Sequence, residues 1–227
     1  HTPDRIFATF RLAEECGIDT ILTNPMLAPI INEYWDRGIG KIQFIAQCKG
    51  KDHKGLLENI AYSLDHGACA AYVQGAAADE YVKAGHIDWI AEALEKFREA
   101  GIPAGIGGHH IETIRACVEA GLTPDFWMKT FHHHEYWSAD LEDQHDNVWC
   151  FDPDETKAYM AQLPQPWIAF KVLAAGAIKP KEAFRYAFEN GADIVCAGMY
   201  DFQVVENANI VTAILDGKLD RVRPWRA

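Results

Sequence analysis

Histidine is the residue type whose placement in this sequence most strongly indicates chemistry. His109 follows a glycine-rich, strand-like run and precedes a predicted helix, so its ring lies near the N-terminus of that helix. The helix dipole there disfavours the charged imidazolium, which leaves a neutral ring that can accept a proton. We therefore predict that His109 is a catalytic acid–base residue; the alternative is a solvated loop histidine or a helix cap.

Two further histidines share one side of a segment that follows another predicted strand. His132 and His134 are two residues apart and point the same way if the backbone there stays extended. Neutral imidazoles bind Zn²⁺ and similar divalent ions, and Asp201, after the last predicted strand, can add an oxygen ligand. These three residues are the predicted metal site, although their spacing matches no short metal-binding motif.

Lysine at the end of an apolar strand is the second type of candidate. Lys171 follows Phe170 in a strand-like run, where its amine is costly to bury unless it reaches polar groups. It is predicted to be catalytic, as a general base, an anion-binding donor or a Schiff-base nucleophile. Lys129 has a similar position one strand earlier. The alternative for both is that the amine reaches solvent along its aliphatic stem.

Three other side chains are predicted to bind a substrate. Asn24 and Gln74 each follow a predicted strand and can hydrogen-bond a hydroxylated ligand. Trp137 lies in the long connection 132–151 and can stack on a sugar-like ring. The structural alternatives are that the amides cap strand ends and that the tryptophan attaches the loop to the rest of the fold.

Strand-like apolar runs alternate with helix-like segments along the chain, and this repeat must position the candidate residues. Most runs are continuous, as expected for parallel strands covered on both faces. Glycine closes a helix just before a strand at five places. The predicted strands are 19–24, 41–47, 70–75, 103–108, 126–131, 167–172 and 193–199.

The repeat predicts an α/β fold, a (β/α)₈ TIM barrel in a single domain over residues 1–227. Seven strands are visible and the sequence opens on a helix, so we expect the first strand to lie upstream of His1. A doubly wound open sheet is the alternative, disfavoured because no glycine-rich dinucleotide turn follows any strand. In a barrel the active site forms at the carboxyl ends of the strands, where the candidate residues lie.

Composition narrows the class of partner. The 227 residues carry 21 Lys and Arg against 33 Asp and Glu, a net charge of −12. This balance argues against nucleic acid or an anionic membrane and leaves a small-molecule substrate, with a homo-oligomer compatible. The six cysteines form no C-x-x-C pair, which favours reduced thiols and a cytoplasmic location.

The sequence resembles the aldo/keto reductase superfamily over most of its length. The similar stretches are 17–22, 58–75, 90–110 and 174–207. The resemblance implies a barrel that binds NADP, with Glu206 and Asn207 at its adenosine end.

The catalytic residues of that family are not matched. Its acid, tyrosine, lysine and histidine would fall at or near Leu22, Leu27, Cys48 and Gln74. Carbonyl reduction of the usual kind therefore lacks its proton donor. A weaker likeness, to class I deoxyribose-phosphate-type aldolases, rests on lysines in neighbouring strands.

These observations lead to three functional hypotheses. The first is a non-redox lyase, hydrolase or isomerase that acts on a polar, sugar-like substrate. It would use His109 and Lys171 as acid–base groups and a divalent metal such as zinc as cofactor. The second is a diverged NADP-dependent oxidoreductase, and the third is a catalytically inactive barrel that serves as a binding module.

Overall fold

Seven parallel strands form one sheet in the computed structural model, which describes residues 2–139 and 147–226. Each strand pairs with the next one along the chain, as a repeated βα unit predicts. The strands are β1 (Thr20–Thr23), β2 (Gln43–Cys48), β3 (Ala70–Val73), β4 (Ala104–Gly108), β5 (Phe126–Thr130), β6 (Trp167–Phe170) and β7 (Ile194–Cys196). They overlap the seven predicted segments.

Nine α-helices accompany these strands in the described ranges. Two of them, α4 and α5, both lie between β3 and β4, and none of the nine has the length and apolar character needed to cross a membrane. The helices are α1 (Pro3–Glu15), α2 (Ala28–Asp36), α3 (His53–Asp65), α4 (Gly75–Lys83), α5 (Ile87–Glu99), α6 (Ile111–Glu119), α7 (Pro153–Met160), α8 (Pro180–Glu189) and α9 (Val204–Leu215).

Glycine ends the helices where the sequence predicts a joint to the next strand. Gly17 and Gly67 follow α1 and α3, and each has φ of 81°, a left-handed conformation that glycine adopts without a Cβ clash. The same joint recurs at Gly101, Gly121 and Gly191. These residues stop each helix so that the chain can enter the following parallel strand.

Two apolar layers cover the sheet. Tyr72, Phe126 and Met128 belong to a cluster on one face of the sheet, inside the barrel. Trp127 and Trp167 are fully buried on the other face, in the large core shared with the helices. Because neighbouring residues of a strand point to opposite faces, both Phe126 and Trp127 are buried, which explains the continuous apolar runs. The predicted TIM-barrel fold class is confirmed as a nearly closed barrel.

The two outer strands line one groove. In the described part of the chain, β1 pairs with β2 alone and β7 with β6 alone. A mainly apolar groove of about 610 Å³ is lined by both, including Leu22 and Ile194. The side chain of Ile194 is 45% exposed although it belongs to a strand. An eighth strand upstream of residue 1 stays a prediction.

A buried ion-pair cluster fastens the segment after α9 to the start of β7. The Asp193 carboxylate is fully buried and contacts Arg221, at 3.1 Å, and Arg223. Arg223 also donates to the carbonyl of Met160, and Asp193 accepts the backbone N–H of Trp167, each at 3.0 Å. The cluster thus connects three parts of the chain that are distant in sequence.

Candidate active site

An aspartate–histidine pair lies at the carboxyl end of β4. His109 directly follows that strand and precedes α6, as predicted, and Asp79 belongs to α4. Nδ1 of His109 is 2.9 Å from Oδ2 of Asp79, and both side chains are largely buried. Asp79 also accepts the hydroxyl of Thr113 at 2.7 Å and the backbone N–H of His109. One carboxylate therefore fixes both the ring and the backbone of His109.

This arrangement determines which nitrogen of His109 carries the proton. Burial raises the pKa of Asp79, but the hydrogen bonds from His109 and Thr113 outweigh it and hold that pKa below its usual value. The ionised carboxylate can only accept, so Nδ1 donates to it, and in the neutral form of the ring Nε2 is the nitrogen with the lone pair. None of the described residues hydrogen-bonds to Nε2. His109 is thus oriented as a proton acceptor.

Aromatic rings and a lysine surround His109. The centroid of its ring is 5.0 Å from that of Trp149 and 5.2 Å from that of Phe170. Nζ of Lys171 lies 3.1 Å from the centroid of the Trp149 ring, a cation–π contact. The two predicted catalytic residues, His109 and Lys171, therefore both contact Trp149.

The backbone after β6 is strained, beginning at Lys171. Lys171 has φ of 57°, and Ala174 and Ala175 have φ of 45° and 55°. A residue with a Cβ is rarely stable in this left-handed region, and such residues concentrate at functional sites, at a cost of roughly 1–3 kcal/mol each. Three of them within five residues support the assignment of Lys171 to the site.

The side chain of Lys129 is buried against the backbone and does not point into the opening at the carboxyl end of the barrel. Its amine is 1% exposed and donates to the carbonyls of His109, at 2.6 Å, and Thr130, at 3.0 Å. Burial lowers its pKa. Because Phe126 and Met128 face the barrel interior, the residue between Met128 and Thr130 faces away from it. Lys129 therefore joins the ends of β4 and β5 through their carbonyls.

His132 holds the long connection in place. Its Nε2 accepts the backbone N–H groups of Trp149 and Cys150, each at 3.0 Å, and its Nδ1 donates to the carbonyl of His133 at 3.0 Å. The ring is 1% exposed, and burial lowers its pKa to about 4. The neutral ring therefore fixes the Trp149 backbone, and with it the aromatic neighbour of His109.

Acid should release this contact. Protonation of Nε2 removes the acceptor of both N–H groups, and the unfolded chain binds that proton more readily, with a pKa near 6.5. The contribution of the neutral His132 ring to the free energy of unfolding is therefore fully present above about pH 6.5. It is lost as the pH falls towards 4, which lowers the free energy of unfolding by about 3 kcal/mol. We expect urea unfolding of wild-type protein to show this loss and His132→Gln, which does not titrate, to show much less of it.

His66→Gln is the matched control for that measurement, because His66 lies at the end of α3, away from the long connection. It should retain the acid dependence of the wild type. An unchanged acid dependence in His132→Gln would contradict the assignment.

The predicted metal site is not assembled in the described part of the chain. Both nitrogens of His132 are engaged, Nε2 of His134 bonds the carbonyl of Cys150, and the exposed Asp201 accepts the N–H of Phe202. Within residues 2–139 and 147–226, no three His, Cys, Asp or Glu side chains are placed to hold one ion. The rings of His132 and His134 lie near each other, with centroids 5.8 Å apart, but backbone groups of the loop bind both nitrogens of His132 and Nε2 of His134.

Of the three residues predicted to bind a substrate, one has a structural role, and for the other two the structure gives only position and exposure. Asn24 caps the short helical turn after β1 by accepting the N–H of Met26 at 2.9 Å, which is the structural alternative for this residue. Gln74 is half-buried at the N-terminus of α4. Trp137 is 95% exposed, so it neither lines an enclosed pocket nor attaches the loop. Residues 140–146 of the predicted connection 132–151 lie outside the described ranges.

The two residues predicted to hold NADP, adjacent in α9, point in different directions. Glu206 is exposed and lines a groove of about 700 Å³ between α8 and α9, together with Lys181, Arg185 and Phe202. Asn207 is buried, with its amide 3.8 Å from the sulfur of Met199, because successive helical residues face different directions. Lys181 brings positive charge to the groove and Arg185 pairs with Glu189, whereas the Glu206 carboxylate would repel a phosphate and Asn207 does not line the groove.

Asp79 is the member of the candidate site that the sequence does not indicate. Its contact with His109 spans 30 residues, and no short motif contains both. The available signal is Gly75 followed by three alanines, since small residues allow α4 to pack closely on β4. A Cβ at Gly75 would already lie 3.2 Å from the His109 ring.

Comparison with known proteins identifies the fold. No family model and no curated protein matches the sequence. A Pseudomonas aeruginosa protein provisionally described as an aldo-keto reductase superposes with a TM-score of 0.64 at 17% identity, over 95% of this chain and 82% of its own. A protein from the same organism provisionally described as a dihydrodipicolinate synthetase gives 0.61 at 13% identity, over 96% and 72%.

An aldolase designated QR15 is a third similar structure. It gives a TM-score of 0.56 at 15% identity, over 95% of this chain and 90% of its own. At these identities the similarity establishes a shared barrel fold. The predicted fold-level resemblance to aldo/keto reductases is confirmed, and the chemistry must be argued from the residues.

Proposed function

We propose that this protein is an acid–base enzyme, an isomerase or lyase that removes a proton next to the carbonyl group of a small hydroxylated substrate. The observation that carries the proposal is the hydrogen bond between Asp79 and Nδ1 of His109. It leaves Nε2 as the proton acceptor at the carboxyl end of β4, where barrel enzymes hold their substrates. The solved structures with this fold that carry enzyme names are consistent with a barrel enzyme.

The proton transfer can be written for the described side chains. Nε2 of His109 takes the proton, the C–H electron pair forms a C=C bond, and the carbonyl oxygen becomes the enolate oxygen. The Lys171 ammonium stabilises that negative charge, and Asp79 stabilises the imidazolium. For isomerisation, the proton returns to the former carbonyl carbon, and the hydroxyl proton on the carbon that was deprotonated moves to the enolate oxygen, so that this second carbon becomes the carbonyl. For a lyase reaction, the enolate re-forms its carbonyl and expels a leaving group from the carbon on the other side of the deprotonated one.

Exchange with solvent tests this step without knowledge of the product. The protein is incubated in D₂O with small hydroxyaldehydes, hydroxyketones and 2-keto acids, and deuterium next to the carbonyl is measured by mass spectrometry. We expect at least one compound to exchange faster with wild-type protein than with His109→Gln. Equal rates for every compound in the two proteins would contradict the proposal.

A diverged NADP-dependent oxidoreductase is the second candidate, favoured by the groove between α8 and α9. Lys181 supplies positive charge, Arg185 is already paired with Glu189, and Phe202, which is 75% exposed, offers a ring on which a base can stack. When bound, NADPH would supply a hydride. These side chains would hold its phosphates and base, with Glu206 towards the ribose.

NADPH binding separates the two candidates. If the groove holds NADPH, Lys181→Glu should weaken binding about tenfold or more, because a charge that attracts phosphate becomes one that repels it. Titration with NADPH fluorescence measures this. Lys54→Glu, on the exposed surface of α3, is the control and should bind as the wild type does. Absence of NADPH binding by wild-type protein would eliminate this candidate.

A further inference from the structure

The hydroxyl of Thr130 is a buried polar group that β5 carries near its carboxyl end. Thr130 is fully buried, and its Oγ1 has no hydrogen-bond partner among the residues that the structure describes. Buried hydroxyl groups in folded proteins are nearly always hydrogen-bonded, so each exception needs an explanation. A position in an active site is one such explanation, because a ligand can provide the missing partner.

The strand register places Thr130 beside the Asp79–His109 pair. Gly108 pairs with Lys129 across β4 and β5, so His109 and Thr130 are the next pair. On its other side Thr130 pairs with Phe170 of β6, whose ring contacts that of His109. Thr130 thus lies between the two residues, at the carboxyl end of the barrel.

Side-chain alternation gives the direction of the hydroxyl. Phe126 and Met128 contribute to the cluster inside the barrel, and Thr130 follows them on the same face. Its carbonyl is fixed by the Lys129 amine, which also holds the carbonyl of His109. The side-chain nitrogen of Lys129 therefore links the backbone of His109, the proposed base, to the backbone of Thr130.

We propose that the Thr130 hydroxyl hydrogen-bonds a substrate oxygen next to the carbon from which His109 takes its proton, and so selects hydroxylated over deoxy substrates. This inference rests on the function proposed above. Trp149, which contacts His109, is held by His132, two residues after Thr130. Because Thr130 is fully buried, a side chain that covers it must move when the substrate binds. Selection arises because a deoxy analogue leaves the buried hydroxyl without a partner.

Thr130→Val tests the inference, because valine keeps the shape and removes only the hydroxyl. We expect the melting temperature to rise by about 3 °C, since an unpaired buried group is lost. Deuterium exchange into the hydroxylated substrate should fall about tenfold, the value of one hydrogen bond, while exchange into its deoxy analogue stays unchanged. Thr130→Ser should restore the preference for the hydroxylated compound.

Thr156→Val is the matched control. Thr156 is also buried, but its hydroxyl contacts the Cys150 sulfur at 3.7 Å, so the variant should gain no stability and keep the wild-type preference. A lower melting temperature of Thr130→Val, or an unchanged preference, would overturn the role of Thr130. Exchange that is the same in wild type and His109→Gln would instead refute the proposed function. The two failures are therefore distinguishable.

Discussion

Replacing His109 by glutamine should lower the rate of deuterium exchange by about 10²–10⁴-fold, the usual contribution of a positioned acid–base group. Glutamine can still hydrogen-bond Asp79, so the local fold is kept, but it cannot accept a proton at neutral pH. The loss should appear in kcat more than in KM, because the proton moves only in the transition state.

Asp79→Asn gives an independent measurement of the same pair. An amide can donate to Nδ1, which favours the tautomer with the proton on Nε2 and removes the acceptor that faces the substrate. We expect exchange to fall, and NMR of the ¹⁵N-labelled imidazole to show the tautomer change. A His109 ring that stays protonated on Nδ1 in Asp79→Asn would contradict the assigned orientation. His66→Gln, away from the site, should exchange at the wild-type rate.

Replacing Asp193 by alanine should lower the free energy of unfolding by about 3–5 kcal/mol. The Asp193 carboxylate is fully buried, and the side chains of Arg221 and Arg223 are 8% and 3% exposed. Removal of the carboxylate leaves two buried guanidinium groups without their anion. It also leaves the backbone N–H of Trp167 without its acceptor.

Urea unfolding at neutral pH measures this loss. Asp154→Ala is the matched control: its carboxylate pairs with Lys157 on the surface, 86% exposed, and its removal should change the unfolding free energy by less than about 1 kcal/mol. A similarly small effect for Asp193→Ala would show that the C-terminal segment does not stabilise the barrel.

The strands were predictable because their signals are local. Gly67, for example, ends α3 and precedes β3 within a few residues, and the continuous apolar runs identify strands that are covered on both faces. Helix α4 is different. It follows β3 directly at Gln74, so the sequence shows no turn between strand and helix.

The site was only partly predictable, since strand ends are visible in sequence and long-range partners are not. The sequence indicates His109 and Lys171 as candidates because each follows an apolar strand. Their neighbours Asp79 and Trp149 lie far away in the chain, and no periodicity connects them. For the same reason, the spacing of the histidines does not show that the described residues bring no three metal-ligating side chains together. The spacing of His132 and His134 gives their shared side but not the backbone groups that bind them.

The outer edges of β1 and β7 leave room for one more strand. Every second backbone N–H and C=O of an outer strand points away from its one neighbour, and Ile194 adds an exposed β-branched side chain there. A strand that pairs with these edges, from this chain or from another molecule, would satisfy those backbone groups and cover Ile194.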